Sequence, residues 1–254
     1  MDKGKKTMHV GIHKGDVAPY IFLTGSPERS AKIASYFESP QEVAWNREYR
    51  SFNGYLDGTQ VTVCSVGIGG PSFAIGMEEL AECGGRTFLR VGTCDSVCDR
   101  VKRGTLVLPN GAVRLEGVAN HYAPPEYPAV PDPGLLRVLE LAVQKTGYPY
   151  EIGIDISRSY FQTGIGHLKP GWSGMSEKWQ ACLDGGAVCT DFDSAVLFIV
   201  ADCLRVRAAE VLLSKSDNGD YGIFSDSDPE ELEYRSIETA AEAMKMLIRQ
   251  DQKQ

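Results

Sequence analysis

The stretch at positions 65–80 constrains the fold more than any other part of the sequence. Gly67, Gly69 and Gly70 follow an apolar run at 61–64, and Pro71 then opens a segment whose apolar residues recur at helical spacing. Glycine allows positive φ and a close approach of the backbone to a ligand, and a helix N-terminus favours anions. The pattern predicts a strand, a tight glycine turn and a helix. Such a turn is either purely structural or part of an anion site.

The rest of the chain alternates short apolar runs with amphipathic segments, as α/β proteins do. Strands are predicted at 20–23, 61–65, 87–91, 105–108, 152–156, 187–189 and 208–213. Helices are predicted at 27–37, 71–83, 133–145, 194–204 and 229–249. We therefore expect one α/β domain over residues 1–254, with a central mixed, twisted sheet flanked by helices in three layers. Residues 1–7 are expected to form a disordered tail, 120–133 an extended loop and 217–231 a mobile lid.

Composition narrows the functional classes. The formal net charge of −8 disfavours a general nucleic-acid or membrane surface, although local arginines can form a positive pocket in an acidic protein. The seven cysteines are an odd number, and Cys94 and Cys98 lack the second pair that a zinc site needs. The sequence contains no apolar run of about 18 residues, so no membrane span is predicted. The N-terminus lacks the pattern of a signal peptide. We expect a cytoplasmic protein with reduced thiols.

Positions 65–80 resemble the signature of the nucleoside phosphorylase family that includes uridine phosphorylases and hexameric purine nucleoside phosphorylases. Segments 113–117, 123–130 and 177–180 resemble the uridine phosphorylase branch, and the resemblance spans positions 8–250. It implies the compact α/β fold of that family, with dimers that assemble into homohexamers. It also implies reversible phosphorolysis of a nucleoside to a free base and a pentose 1-phosphate. Inorganic phosphate would be the co-substrate, and no redox cofactor is implied.

The resemblance implies a phosphate site built from several segments. Guanidinium groups suit this task because they bind phosphate oxygens in pairs. For a single arginine, a surface ion pair is the alternative. Arg90 differs because it lies inside an apolar strand, where an unpaired charge is expensive; it therefore needs an anion or a carboxylate as its partner. The implied phosphate residues are Gly25, Arg29, Arg47, Arg90 and Thr93, with Arg47 reaching into the neighbouring subunit's site.

The resemblance also implies a ribose site. Asp193 stands where a family carboxylate accepts hydrogen bonds from the ribose hydroxyls, with Asp191 and Phe192 beside it. Both acids are one methylene shorter than the family's glutamates. Because Asp193 precedes a predicted helix, capping that helix is the alternative. His9 resembles the histidine that crosses the dimer interface to the 5′-hydroxyl. The positions that match a potassium site between subunits of bacterial uridine phosphorylases are Glu48, Ile68 and Ser72, for which capping and packing are the alternative.

The base site is where the chain departs from the uridine phosphorylases. Phe161 is in place, but Ile165 and His167 stand nearest to where that branch carries its uracil-binding Gln and Arg. Asp95, after Cys94, stands where the family has glycine. Asp217 resembles the aspartate of the purine branch that protonates purine N7. That role requires desolvation to raise its pKa; the alternative is a loop or cap aspartate. The implied base-binding residues are Cys94, Asp95, Phe161, Ile165, His167 and Asp217.

The resemblance thus implies Arg90, Asp193 and Asp217 as catalytic residues, with His167 as a second candidate for assisting the leaving base. A purine nucleoside phosphorylase is the closest alternative. Two others stay open: a nucleosidase that uses water instead of phosphate, and a nucleoside-binding protein without catalysis. Base release in the absence of phosphate would indicate the former, and tight binding without turnover the latter.

Overall fold

A computed structural model describes residues 4–160, 172–218 and 230–253. The helices within these ranges are α1 (Pro27–Ala34), α2 (Gly70–Cys83), α3 (Pro133–Thr146), α4 (Trp172–Asp184), α5 (Ser194–Leu204) and α6 (Glu230–Asp251), with a short 3-10 helix at Val118–His121. The strands are β1 (Tyr20–Thr24), β2 (Glu38–Asn46), β3 (Tyr49–Leu56), β4 (Thr59–Ser65), β5 (Thr87–Ser96), β6 (Leu106–Leu115), β7 (Tyr150–Arg158), β8 (Cys189–Asp191) and β9 (Arg207–Ser214).

The described strands form one mixed sheet in the order β2-β3-β4-β1-β5-β8-β7-β6-β9. Strand β5 also pairs with β9 in parallel, so β5, β8, β7, β6 and β9 close into a ring. Strands β4 and β5 run parallel to β1 on either side of it. Because parallel strands end at the same edge of a sheet, the loops after β1 and β4 meet there, where ligands bind in open α/β sheets.

Helices cover both faces of the sheet. One buried apolar cluster joins α2 and α5 to the sheet through Phe73, Met77, Val196 and Phe198. A second cluster joins α1, α3 and α6 to the opposite face. The predicted three-layer α/β fold with a central mixed sheet is therefore confirmed. In the described parts of the chain, none of the helices combines the length and apolar character that crossing a bilayer requires.

Local chemistry accounts for where the helices begin. At α1, the Ser26 hydroxyl accepts a hydrogen bond from the main-chain N–H of Arg29 (3.1 Å), and Pro27 occupies the first turn. At α3, Asp132 accepts from the main-chain N–H of Leu135 (2.8 Å). These caps satisfy N–H groups that have no partner within the helix.

The sequence did not predict β2, β3 or α4. Every residue of β2 is exposed or half-buried, so this edge strand lacks the alternation of apolar and polar residues that reveals a strand. The strand expected at 187–189 lies two residues later, at Cys189–Asp191, and this shift puts Asp191 at a strand end. Within the expected tail, the Thr7 N–H donates to the carbonyl of Ile12 (2.7 Å). Most of the expected lid, 219–229, lies outside the described residues.

Candidate active site

The glycine turn joins β4 to α2 and carries the first element of the site. Gly67 and Gly69 have φ of 74° and 94°, a region that side chains rarely adopt. A Cβ at Gly67 would also lie only 2.8 Å from the Ser72 hydroxyl oxygen. The main-chain N–H of Gly69 donates a hydrogen bond to Oδ1 of Asp193 (2.9 Å). The turn is therefore tied directly to the acidic segment before α5.

Arg90 lies at the centre of a buried ionic network. Its Nη1 donates to Oδ2 of Asp191 (2.7 Å) and to Oε2 of Glu210 (2.6 Å), and its Nη2 donates to Oδ2 of Asp193 (2.9 Å). The residue is only 5% exposed. Burial alone would lower the pKa of Arg90, but the three carboxylates raise it, so the guanidinium stays charged. The partner expected from the apolar strand is thus supplied by carboxylates.

The three acids around Arg90 share one cation and do not titrate alike. Burial raises the pKa of Glu210 to about 7 and that of Asp193 to about 6, against the opposing effect of Arg90. Burial would also raise the pKa of Asp191, but Arg90 and main-chain N–H groups hold it below its ordinary value. At neutral pH, Asp191 is therefore ionised, whereas Asp193 and Glu210 titrate close to neutral pH.

Asp191 rather than Asp193 accepts hydrogen bonds from the main-chain N–H groups at the N-terminus of α5. Oδ1 of Asp191 accepts hydrogen bonds from the main-chain N–H groups of Asp193 and Ser194, both at 3.1 Å. Asp193 occupies the cap position, but its side chain makes no capping hydrogen bond. The capping alternative for Asp193 is therefore not what the structure shows. Its carboxylate instead bridges Arg90 and the glycine turn.

The other implied phosphate residues lie around this edge of the sheet. A Cβ at Gly25 would be 3.5 Å from the carbonyl oxygen of Gly67, so the loops after β1 and β4 are in contact. Nε of Arg29 donates to Oε1 of Glu233 on α6 (2.7 Å). Thr93 is half-buried on β5, and Arg47 is exposed in the turn between β2 and β3. Arg47 thus lies on the surface of its own chain.

A carboxylate on α2 anchors the N-terminal segment that holds His9. Glu79 accepts from Nδ1 of His9 (2.8 Å) and from the main-chain N–H groups of His9 (3.1 Å) and Val10 (2.7 Å). These hydrogen bonds lower the pKa of Glu79 although its burial would raise it. The His9 side chain remains 30% exposed. His9 therefore lies partly exposed at the surface of its own chain.

The three residues of the implied potassium site lie at the glycine turn. The Ser72 hydroxyl donates to Oε1 of Glu48 (2.8 Å). A hydrogen bond from its own main chain and one from Ser72 lower the pKa of Glu48. Ile68 is 75% exposed. An ionised carboxylate and a hydroxyl therefore lie together next to the turn that contains the exposed residue Ile68.

The implied base side contains an ion pair. Nη2 of Arg158 lies 3.1 Å from Oδ2 of Asp95, and the Arg158 Cζ lies 4.9 Å from the centre of the Phe192 ring. Arg158 is fully buried, while the Asp95 side chain is 27% exposed. Cys94, the residue before Asp95, is buried in an apolar cluster. Phe161, Ile165 and His167 lie outside the described residues.

Asp217 is exposed, and its Oδ1 accepts a hydrogen bond from the main-chain N–H of Arg103 (3.0 Å). An exposed carboxylate does not experience the desolvation that protonating a purine at neutral pH requires. The geometry is that of the loop aspartate, so it does not favour the acid role.

Three buried charged residues of the network were not predicted. Glu210 and Asp155 are each the sole charged residue of a short apolar strand segment, the same signal that singled out Arg90. Because burying an unpaired charge is costly, the argument made for Arg90 also predicts that Glu210 and Asp155 have buried partners. Arg158 lies two residues beyond the strand predicted at 152–156, at the end of the observed β7, and carried no comparable signal.

A known family matches most of the chain. The model of the Phosphorylase superfamily matches residues 19–250. The chain belongs to the Phosphorylase superfamily. It is 37% identical over 246 residues to the uridine phosphorylase of Treponema pallidum (strain Nichols), covering 96% of this chain and 95% of that protein.

Two further proteins are also similar. The uridine phosphorylase of Thermococcus kodakarensis is 39% identical over 205 residues, which cover 79% of this chain and 73% of that protein. The guanosine phosphorylase of Halorubrum lacusprofundi is 33% identical over 206 residues, which cover 81% of each chain. Relatives named for different nucleosides are thus similar to this chain in sequence.

Proposed function

We propose that this protein is a nucleoside phosphorylase that converts a nucleoside and inorganic phosphate into a free base and a pentose 1-phosphate. Membership of the Phosphorylase superfamily supports this reaction type. The names of several relatives favour uridine as the first substrate to test. The observation that carries the proposal is the link from Arg90 through Asp193 to the N–H of Gly69, which joins an anion-binding group and a ribose-binding group at one sheet edge.

The reaction follows from what these groups can hold. An oxygen of phosphate forms a bond to C1′ while the bond from C1′ to the base nitrogen breaks, and its electron pair leaves with the base, which takes up a proton. Arg90, with Gly25, Arg29 and Thr93, orients the phosphate below the sugar. Arg47 completes this set from a second subunit. The negative charge of phosphate also stabilises the positive charge that develops on the sugar.

Asp193 binds the ribose hydroxyls in this scheme. One of its oxygens accepts from the Gly69 N–H and the other from Arg90, so the carboxylate is fixed in position before the sugar arrives. Fixing a binding group in advance lowers the entropy lost on binding. Asp191 positions the segment by capping α5, and Phe192 lies beside it. Because aspartate is shorter than glutamate, the sugar must approach closer to the main chain.

The assembly and the ion are part of the proposal. The surface positions of His9 and Arg47 support a homodimer in which each chain completes its partner's site, with dimers forming a hexamer. The carboxylate of Glu48 and the hydroxyl of Ser72 are oxygen donors that suit potassium, with Ile68 beside them. The free thiols of the described cysteines and a role in nucleoside salvage fit the cytoplasm.

The test is free-base release from uridine, thymidine, inosine, adenosine and guanosine, each with and without phosphate. We expect release from at least one nucleoside, dependent on phosphate, and a large loss of that release in Arg90→Lys, which keeps the buried positive charge but loses the paired N–H geometry, with circular dichroism unchanged. Release that proceeds equally without phosphate would replace the proposal with a hydrolase. Binding of a nucleoside with no release from any of the five would indicate a protein without catalysis.

A further inference from the structure

The proposed reaction does not use Glu210, the acid that faces Arg90 from the neighbouring strand. Glu210 on β9 is the register partner of Arg90 on β5. Its side chain is completely buried, and Oε2 lies 2.6 Å from Nη1 of Arg90. Because both residues lie within paired strands rather than in loops, this contact is built into the sheet.

Carboxylates already hold both Nη atoms of Arg90, and of its three nitrogens only the buried Nε lacks a hydrogen-bond partner in the described structure. Nη1 bonds to Glu210 and Asp191, and Nη2 bonds to Asp193. An incoming phosphate would add negative charge to three acids that share one buried cation. Burying a charge without a compensating partner is strongly unfavourable. The anion therefore binds well only if one of these acids gives up its charge.

Glu210 is the acid best suited to give up its charge. The titratable groups that face it are Arg90 of β5, Asp155 of β7, Asp191 of β8 and Asp193 before α5. Within the described structure, Oε1 of Glu210 is buried and has no partner at hydrogen-bonding geometry, although the Ser194 side chain opposes part of the rise in pKa that burial causes. A carboxylate oxygen without a donor favours the protonated acid, and burial raises the pKa of Glu210 to about 7.

We infer that Glu210 competes with phosphate for Arg90, so that the anion enters the site together with a proton. Glu210 is then a specificity-determining residue for the anionic substrate, and anion affinity falls as the pH rises through the range in which Glu210 ionises. The inference rests on the proposed function only in taking phosphate as the natural anion.

Sulfate is the probe that isolates the protein's own proton. Phosphate itself titrates near neutral pH, whereas sulfate remains a dianion. We would titrate the full-length protein with sulfate by calorimetry at pH 6 and pH 8, in two buffers of different ionisation enthalpy. With a Glu210 pKa of about 7, wild type should bind sulfate about tenfold more weakly at pH 8 than at pH 6. Binding at pH 8 should be accompanied by proton uptake.

The decisive variant is Glu210→Gln, which keeps the shape and removes the charge. We expect it to bind sulfate about tenfold more tightly than wild type at pH 8 and with less proton uptake. Asp155→Asn is the matched control: it changes a buried acid of the same network that does not touch Arg90, and its sulfate affinity at pH 8 should equal that of wild type. Glu210→Ala serves as the second variant if the glutamine variant does not fold.

Several outcomes would overturn the inference. They are sulfate binding by wild type without proton uptake, an affinity for sulfate at pH 8 that Glu210→Gln does not raise, or no binding of sulfate by either protein. The phosphate KM in base release should fall in Glu210→Gln while the nucleoside KM does not. If sulfate behaves as expected but no nucleoside is cleaved, the inference stands and the proposed reaction is wrong. If phosphorolysis occurs but Glu210→Gln leaves the sulfate affinity unchanged, the inference fails and the proposed reaction stands.

Discussion

Replacing Glu210 with glutamine should change how the stability of the protein depends on pH. Burial raises the pKa of Glu210 from 4.5 to about 7. Below pH 4.5 the acid is protonated in both the folded and the unfolded chain and costs nothing. As the pH rises to 7, the unfolded chain ionises first, so folding stability is lost; the full loss is about 3 kcal/mol. Between pH 5 and pH 8 the loss from this carboxyl is about 2 kcal/mol.

The assay is urea unfolding of wild type and Glu210→Gln, followed by circular dichroism at pH 5 and pH 8 and at one protein concentration, since association also affects stability. The free energy of unfolding of the variant, relative to wild type, should rise by about 2 kcal/mol from pH 5 to pH 8. Glu42→Gln is the control, because Glu42 forms an exposed ion pair with Arg50 and should show no such change. An equal difference at both pH values for Glu210→Gln would refute the argument from burial.

Two further predictions concern the N-terminal segment and the position of Arg90. Glu79→Gln weakens the hydrogen bonds that hold residues 9–10, so it should cost about 1–2 kcal/mol in unfolding free energy and speed hydrogen exchange of the Val10 amide; unchanged exchange would contradict the anchoring role. Gly92→Ala places a Cβ 2.7 Å from Nη1 of Arg90, so it should lower kcat/KM for phosphate about tenfold, whereas Gly174→Ala, with open space around it, should leave it unchanged.

The layers of the fold could be predicted because most helices and strands show a clear apolar periodicity in the sequence. Helix α2 and the glycine turn before it were found within one residue because glycine and proline have strict backbone requirements. Strand β2 was missed for the opposite reason. It lies at the edge of the sheet, where an exposed strand needs no apolar face. A polar edge strand is defined by its hydrogen bonds to β3, and the sequence does not display them.

The candidate site was only partly predictable. The cost of burying Arg90 predicted that it must have an anionic partner, and the structure supplies three. Which acids these are depends on the register of β5 against β9 and on where β8 ends, and neither is visible in a single sequence. Because β8 ends at Asp191, two residues later than predicted, Asp191 caps α5. The Asp193 side chain then bonds to Arg90 and Gly69 instead.

The most direct test of the account is to measure, in one reaction, the base released from a cleaved nucleoside and the inorganic phosphate consumed. The account predicts that the two amounts are equal, that a pentose 1-phosphate appears in the same amount, and that omitting phosphate stops the reaction. Base release that consumes no phosphate would contradict it, because the nucleophile would then be water, and Arg90 and the other proposed phosphate-binding residues would not bind the attacking anion.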